Sequence, residues 1–270
     1  MIENEAEIQR MIESILDSRK YRRLGVNPAT IQDLILQEIQ NHKPSKHLLK
    51  TVRRKLHNIV APYLGELDYP FLSKQLLDIQ NPSPFSPEIL TFCRKVLAGH
   101  ASTAERLPHL REFYTRLFSI TGQPNSILDL ACGLHPLSFP WMGLSQEINY
   151  HAYDIIQPRV DFLNLFFETL ALKPLAKNID ILVHPPQIHA DLGIFFKEAH
   201  RFEKRQPGCN LKFWENLRVN ILAVSLPTQD LSGTHSLLDQ HRFLVQKNLP
   251  NHARVRELLF ENEIVFLIEK

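Results

Sequence analysis

Downstream of Gly122 the chain changes grammar. Short apolar runs at residues 126–130, 148–156, 179–183, 192–196 and 219–226 alternate with helical patterns at 159–172, 202–217 (with a break) and 236–248. Strand and helix in alternation make successive strands parallel and cover both faces of the sheet with helices. Two more apolar runs, 254–260 and 263–269, end the chain. They are joined by the polar pair Glu261-Asn262, which predicts a hairpin.

The first hundred residues read as helices. Asn27-Pro28 opens one, with Ile31, Leu34, Ile35 and Ile39 at helical spacing. Ser45 can cap the next, whose stripe is Leu48, Leu49, Val52, Leu56, Ile59 and Val60. Ser86-Pro87 starts a third that stops at Gly99, and Ser102 with Glu105 forms a capping box for a long helix to about residue 120. Charge is concentrated here. Residues 18–60 hold ten basic side chains (Arg19, Lys20, Arg22, Arg23, Lys43, Lys46, Lys50, Arg53, Arg54 and Lys55) against Asp33 and Glu38, a net of +8 in a chain of net charge +2. So few acids cannot neutralise that segment through intrahelical pairs, and Arg53, Arg54 and Lys55 lie mainly off the apolar stripe. A basic face of this kind is the footprint of a polyanion. The chain is therefore divided into a helical domain that would dock on a polyanion, residues 1–106, and an α/β domain, residues 107–270. The α/β domain is a Rossmann-like seven-stranded sheet with a C-terminal antiparallel hairpin, the class I methyltransferase layout.

Composition sets the other limits. With 44% hydrophobic and 22% charged residues the chain is ordinary for a globular protein, not a disordered, collagen-like or membrane one. Three scattered cysteines form neither a disulfide framework nor a zinc motif, and the thirteen histidines show no ligand spacing, so no metal is expected. The acidic N-terminus lacks a signal-peptide layout, and no apolar run approaches the roughly 18 residues of a membrane span. A cytoplasmic, reduced-thiol protein without a membrane partner is expected.

The first strand of the α/β part ends in Asp129-Leu-Ala-Cys-Gly133-Leu-His-Pro136. Ligands of open α/β sheets bind beyond the carboxyl ends of the strands, and a turn of small residues lets backbone approach them. Ala131 and His135 replace the outer glycines of the usual pattern. Asp154 ends the second strand, where a carboxylate can accept both hydroxyls of a ribose. Asp180 opens the third strand region, where it can take the exocyclic amine of adenine. No complete Gly-x-Gly-x-x-Gly or pyrophosphate cradle is present, which favours S-adenosylmethionine over a dinucleotide. Arg106 is a candidate bidentate partner for that cofactor's carboxylate.

Three blocks resemble the aminoglycoside-resistance 16S ribosomal RNA methyltransferases, which modify guanine N7 at the decoding site. They are His100-Ala-Ser-Thr-Ala-Glu-Arg-Leu107, Leu128-Asp-Leu-Ala-Cys-Gly-Leu-His-Pro-Leu137 and Ala223-Val-Ser-Leu-Pro-Thr-Gln-Asp-Leu-Ser-Gly233. Ser14-Ile-Leu-Asp-Ser-Arg-Lys-Tyr-Arg and Asn41-His-Lys-Pro-Ser-Lys46 are similar to that family's helical RNA-binding domain. The resemblance implies that His100, Thr103, Arg106, Ala131 and Gly133 surround the methionine moiety beside Asp129. It implies that Asp154 with Ile155 holds the ribose, and Asp180 with Ile181 the adenine. Lys197, Ser225, Pro227 and Thr228 border the target base. Arg19, Lys20, Arg22, Arg23, Lys43, Lys46, Arg53 and Arg54 meet RNA. The implied reaction is that of a 16S rRNA (guanine(1405)-N(7))-methyltransferase acting as a monomer on the assembled 30S subunit, with S-adenosyl-L-homocysteine as product. Two departures stand out: His135 replaces the family's usual Asn, and Thr-His-Ser-Leu-Leu-Asp replaces a Gly/Arg/Lys-rich loop after Gly233.

Guanine N7 has a lone pair and loses no proton on methylation, so no general base is expected and no catalytic residue is assigned. Positioning can supply about 7–11 kcal/mol of the barrier. Cys132 is read as a small turn residue rather than a nucleophile, and Trp141 and Trp214 as core. Other functions fit parts of the pattern: methylation of another RNA base or of a small molecule, or RNA binding without catalysis. The intact set Asp129, Asp154, Asp180 and Arg106 argues against the last.

Overall fold

The computed structural model describes residues 5–41, 47–61, 67–230 and 232–270. Helices α1 (Glu5–Leu16), α2 (Arg19–Leu24), α3 (Pro28–Asn41) and α4 (Leu48–Val60) pack around one apolar cluster that includes Ile12, Ile15, Ile31, Leu34, Val52 and Leu56. α3 starts where the sequence sets it. Pro28 takes the first helical position, where a missing N–H is no loss, and Asn27 Oδ1 accepts the Ala29 N–H at 2.9 Å. On α4 the residues Leu48, Val52, Leu56 and Val60, four apart, are all buried. The Ser45 cap expected for α4 lies outside the described residues, as do Lys43 and Lys46. Short α2 lies against α4: the Tyr21 hydroxyl donates to the Arg53 carbonyl at 3.1 Å, and Lys20 Nζ is 2.7 Å from His57 Nδ1.

Next come α5 (Tyr69–Leu77) and α6 (Pro87–Ala98). Ser86 Oγ caps α6 by accepting the Ile89 N–H at 3.3 Å. Tyr69, Leu72, Leu76, Phe92 and Val96 share a cluster with Phe162, Leu163 and Phe166 of the α/β part. The buried apolar packing therefore divides between Val60 and Tyr69, and α5 and α6 share the core of the sheet. The long helix expected from Ser102 is broken into α7 (Ala101–Ala104), a 3-10 turn (Leu107–His109) and α8 (Leu110–Thr121). Pro108 has no N–H to continue the ladder. Ser102 Oγ bonds His100 Nδ1 at 2.8 Å and Glu105 pairs with Lys197, so no capping box closes.

The sheet consists of β1 (Ser126–Leu130), β2 (Asn149–Asp154), β3 (Lys177–Asn178), β4 (Ala190–Phe196), β5 (Val219–Pro227), β6 (Arg254–Leu259) and β7 (Glu263–Glu269). Its order is β3-β2-β1-β4-β5-β7-β6, with β1 to β5 parallel and β7 antiparallel between β5 and β6. Helices α9 (Gln157–Thr169), α10 (Ala199–Arg205), α11 (Cys209–Asn216) and α12 (Leu238–Lys247) complete the layers. Strand alternation sends Ile127, Ile194, Ala223 and Val265 to one face, and Leu128, Phe195, Val224 and Phe266 to the other, around Trp214. The strand expected at 179–183 is absent. β3 is only Lys177–Asn178, paired with Tyr153 and Asp154. Asp180 then turns the chain: its carboxylate accepts the Leu182 N–H at 3.1 Å, and its carbonyl accepts those of Val183 and His184. Local side-chain capture of backbone outcompetes the sheet ladder there. Among the described residues no helix is long and apolar enough to cross a membrane.

The helical unit is stitched to the carboxyl edge of the sheet. Val26 bridges to Ile156, Asn27 N–H donates to the Ile155 carbonyl at 2.8 Å, and Gln157 N–H donates to that of Gly25 at 2.9 Å. Gly25 has φ +56°, and a Cβ there would lie 2.9 Å from Pro158 Cδ. Gly25→Ala is expected to destabilise the protein by about 1–3 kcal/mol, because it adds left-handed strain and a clash at this seam. A urea midpoint equal to that of the parent would contradict this account of the seam.

Candidate active site

The topological switch point of this sheet lies at β1 and β4, whose crossovers run in opposite directions. Beyond β1 the chain turns sharply. Ala131 has φ +53° and Gly133 φ +55°. For Ala131 that conformation costs about 1–2 kcal/mol, which the surrounding bonds must offset. They do so from β2: Cys132 N–H donates to the Tyr153 carbonyl at 2.8 Å, and Gly133 N–H to Asp154 Oδ2 at 3.0 Å. Asp154 also accepts the Ile156 N–H at 2.8 Å and Arg159 Nη1 at 2.7 Å, and the Tyr69 hydroxyl accepts Arg159 Nε at 3.1 Å.

A buried polar relay supports the turn from beneath. Asp129 Oδ2 accepts the Tyr150 hydroxyl at 2.8 Å and lies 2.7 Å from His135 Nδ1. His135 Nε2 lies 2.7 Å from the Tyr114 hydroxyl. In the neutral tautomer that donates Nδ1–H to Asp129, Nε2 is the acceptor for Tyr114. The residue that departs from the resembled pattern is thus built into a chain from β2 to α8.

A cavity opens on this turn. His100, Thr103, Arg106, Asp129, Ala131, Gly133 and Lys197 are among the residues that line it, so the methionine-end group of the sequence reading is brought together. Asp154, Ile155, Asp180 and Ile181 do not line it. Ile155 lies in the seam to the helical unit, and Ile181 is buried in the second cluster. Asp180 is 1% exposed and its carboxylate accepts Thr30 Oγ1 and Arg205 Nη1, both at 2.7 Å, besides Leu182 N–H. Ser225 and Pro227 end β5, and Thr228 follows it, beside the cavity's Lys197, whose N–H donates to the Ser225 carbonyl at 2.8 Å. Thr228 is tied to the β6–β7 turn through the Glu261 and Asn262 carbonyls. Beyond it, Asp230 Oδ1 accepts the Ser232 hydroxyl and the Thr234 N–H.

Arg106 carries the partner that sequence reasoning missed. Its Nε and Nη2 donate to the two carboxylate oxygens of Glu263 at 2.6 and 2.5 Å, and its guanidinium lies between the rings of Phe113 and Phe196, 4.7 and 4.6 Å away. Burial works against Glu263 ionising, yet the Arg106 charge and hydrogen bonds hold its pKa below the ordinary 4.5. The only sequence signal was an acid opening the final strand. A second cavity, lined in part by Glu105, His109, Phe260, Glu261 and Glu263, shares Arg106 and Lys197 with the first. Burial drives the Cys132 thiol pKa well above its ordinary value, so it stays protonated and is no nucleophile.

His100 is lowered to about 4 by burial and by the Arg201 and Lys197 charges, and His200 to about 3 by burial, Arg201, His241 and Lys204. Both rings are neutral at pH 7, while the unfolded chain binds protons on them near the ordinary 6.5. Their contribution is therefore complete above about pH 6.5 and is lost as the pH falls from there, toward about 4 for His100 and about 3 for His200. The urea midpoint should drop across that window, and a His100→Gln/His200→Gln variant should flatten the drop. A slope unchanged by the double substitution would refute this assignment.

The chain has relatives among known proteins over nearly its whole length. The family model described as Ribosomal RNA methyltransferase (FmrO) matches residues 17–260. A 16S rRNA (guanine(1405)-N(7))-methyltransferase of Micromonospora rosea is 29% identical over 268 residues, 97% of each chain. One of the same name from Frankia casuarinae is 31% identical over 232 residues, 84% of this chain and 80% of its own. The solved 16S rRNA methylase RmtB has 27% identity and a TM-score of 0.80, covering 97% of this chain and 98% of its own. RmtF, solved in complex with S-adenosyl-L-homocysteine, has the same fold, with a TM-score of 0.80, 24% identity and 99% of both chains covered. A match of that length on a sheet of this topology makes the chain a member of the ribosomal RNA methyltransferase (FmrO) family.

Proposed function

We propose that this protein methylates N7 of guanine 1405 in 16S rRNA, using S-adenosylmethionine and acting on the assembled 30S subunit. The observation that carries the reading is the near full-length similarity to relatives named for that reaction, on a chain that keeps a small-residue turn and cavity at the carboxyl edge of β1. In this reading the protein is a cytoplasmic monomer, needs no metal ion, and protects the ribosome against aminoglycosides.

The residues around the β1 turn suit the methionine end of the cofactor. Gly133 has no side chain, and a Cβ there would point at His100 Cε1, 3.5 Å away, across the cavity wall. Glu263 takes Nε and Nη2 of Arg106, which leaves Nη1 without a partner among the described residues and available to a carboxylate. His100, Thr103, Arg106, Ala131 and Gly133 would hold the methionine end beside Asp129; Asp154, Ile155, Asp180 and Ile181 stand outside that cavity, with the two carboxylates engaged by Arg159 and by Thr30 and Arg205, so the ribose and adenine roles expected of them are not carried over. When bound, the cofactor supplies an electrophilic methyl on a sulfonium. Lys197, Ser225, Pro227 and Thr228 would border the guanine. Because N7 has no proton to lose, these residues orient the base and accommodate a cationic product rather than abstract a proton.

The helical layer would grip the rRNA phosphates. Arg19, Lys20, Arg22, Arg23, Arg53 and Arg54 are exposed on α2 and α4, which touch, so two basic clusters distant in sequence form one surface. Lys43 and Lys46 belong to the same segment. The docking part proposed here is α1 to α4 rather than all of residues 1–106: its apolar cluster runs from Ile12 to Val60 and takes in Ile156 at the seam, whereas Tyr69 onward packs into the core of the sheet.

Mass mapping of 16S rRNA from cells expressing the chain should find one added methyl at N7 of guanine 1405, together with tolerance of gentamicin-type drugs. Unlabelled subunits in a tritiated-methyl assay, with cofactor binding intact by calorimetry, would sink the reading. Replacing Arg23, Lys50 and Arg54 by Ala removes three exposed cations and should weaken 30S binding, lowering the slope of log affinity against log salt by about 2–3. An unchanged salt slope would show that this face does not meet phosphate.

A further inference from the structure

We propose that Arg205 is a positioning residue that sets the docking helices at a fixed angle and distance from the methyl-transfer cleft. The assignment rests on the rRNA methyltransferase reading above. Arg205 is the last residue of α10, and its side chain is 6% exposed. Nη1 donates to Asp180 Oδ2 and Nη2 to Asp33 Oδ2, each at 2.7 Å. Asp180 belongs to the turn after β3, whereas Asp33 lies on α3 of the helical unit. One guanidinium thus holds a carboxylate from each part of the molecule. Thr30, one turn before Asp33 on the same face of α3, donates its hydroxyl to the same Asp180 Oδ2 at 2.7 Å, and Thr30 and Asp180 are almost wholly buried.

The other end of α10 gives this joint its consequence. α10 begins immediately after Lys197 and Glu198, both of which line the cavity on the β1 turn. Seven helical residues, a strut of about 10 Å, separate the cleft wall from the guanidinium that holds α3. The planar fork of Arg fixes two partners at once with little freedom, which the single ammonium of Lys cannot do. Phosphate contacts on α2 and α4 determine how tightly the subunit is held. The α3–Arg205–α10 line determines where the cleft then sits relative to the flipped base. A misplacement of about 1 Å at a reacting centre can cost about 100-fold in rate. Loosening the joint should therefore slow transfer without weakening docking.

The test uses full-length protein, purified 30S subunits and labelled S-adenosylmethionine, with Asp33→Asn, Arg205→Lys and the double variant. Asp33→Asn preserves shape on the docking side and leaves the cavity lining untouched, so it should fold. For it, 30S affinity and cofactor affinity should each stay within about twofold of the parent. Its single-turnover methylation rate at saturating subunit should fall about 10- to 100-fold. Arg205→Lys should show the same loss of rate. The double variant should be no slower than the slower single variant, because both break one joint. Rates equal to the parent at saturation, even with a lowered melting temperature, would make the joint merely structural and overturn the assignment. Weakened 30S affinity with an unchanged saturating rate would overturn it equally. Unlabelled subunits with the parent protein would overturn the rRNA reading itself, whereas a fast parent with equally fast variants overturns the assignment of Arg205 alone.

Discussion

Arg106 and Glu263 stand 157 residues apart in sequence and meet through two hydrogen bonds in the interior. A buried ion pair repays its desolvation only when geometry is good and the remaining polar groups are satisfied. Here the carboxylate is met bidentately, and two aromatic rings cover the guanidinium faces. The pair draws the start of β7 onto the segment that precedes the sheet. The two cavities of the carboxyl edge share Arg106, so the wall between them depends on this contact. Removing one partner would leave an uncompensated charge in the core, which typically costs about 3–5 kcal/mol.

Much of this was legible in the sequence because the forces involved are local. Apolar runs of strand length, a hairpin turn and the Ser86-Pro87 cap are read from neighbours along the chain, and all but the run at 179–183 are found near their expected places. The failures share a cause: a long-range or side-chain partner displaced the local preference. Residues 179–183 have the apolar content of a strand, but Asp180 captures backbone N–H groups and turns the chain. Ser102 and Glu105 have capping-box spacing, yet His100 and Lys197 take their side chains. The acids at the strand ends were visible as residues. Their partners Arg159, Arg205 and Thr30 were not, since nothing in a linear pattern says which cation folds back onto which carboxylate. The two basic clusters could be counted, but their union depends on Tyr21 and Lys20 meeting α4.

The electrostatics of the cleft suit transfer of a positively charged methyl donor to a base that becomes cationic. The cations that line the cavity are held by acids: Arg106 by Glu263, and Lys197 by Glu105. His100 adds no charge near pH 7, because burial and its cationic neighbours keep it unprotonated. Asp129 and Glu198 supply negative charge in the same wall. A sulfonium in such a cleft meets paired rather than bare cations, so the repulsion that Lys197 and Arg106 would otherwise exert is offset before any ligand enters. The same pairing holds both side chains in place, so little reorganisation is left for the moment of reaction. A reaction that needs no base can rest on such positioning, with a cleft held by buried pairs and the docking helices held to it through α3.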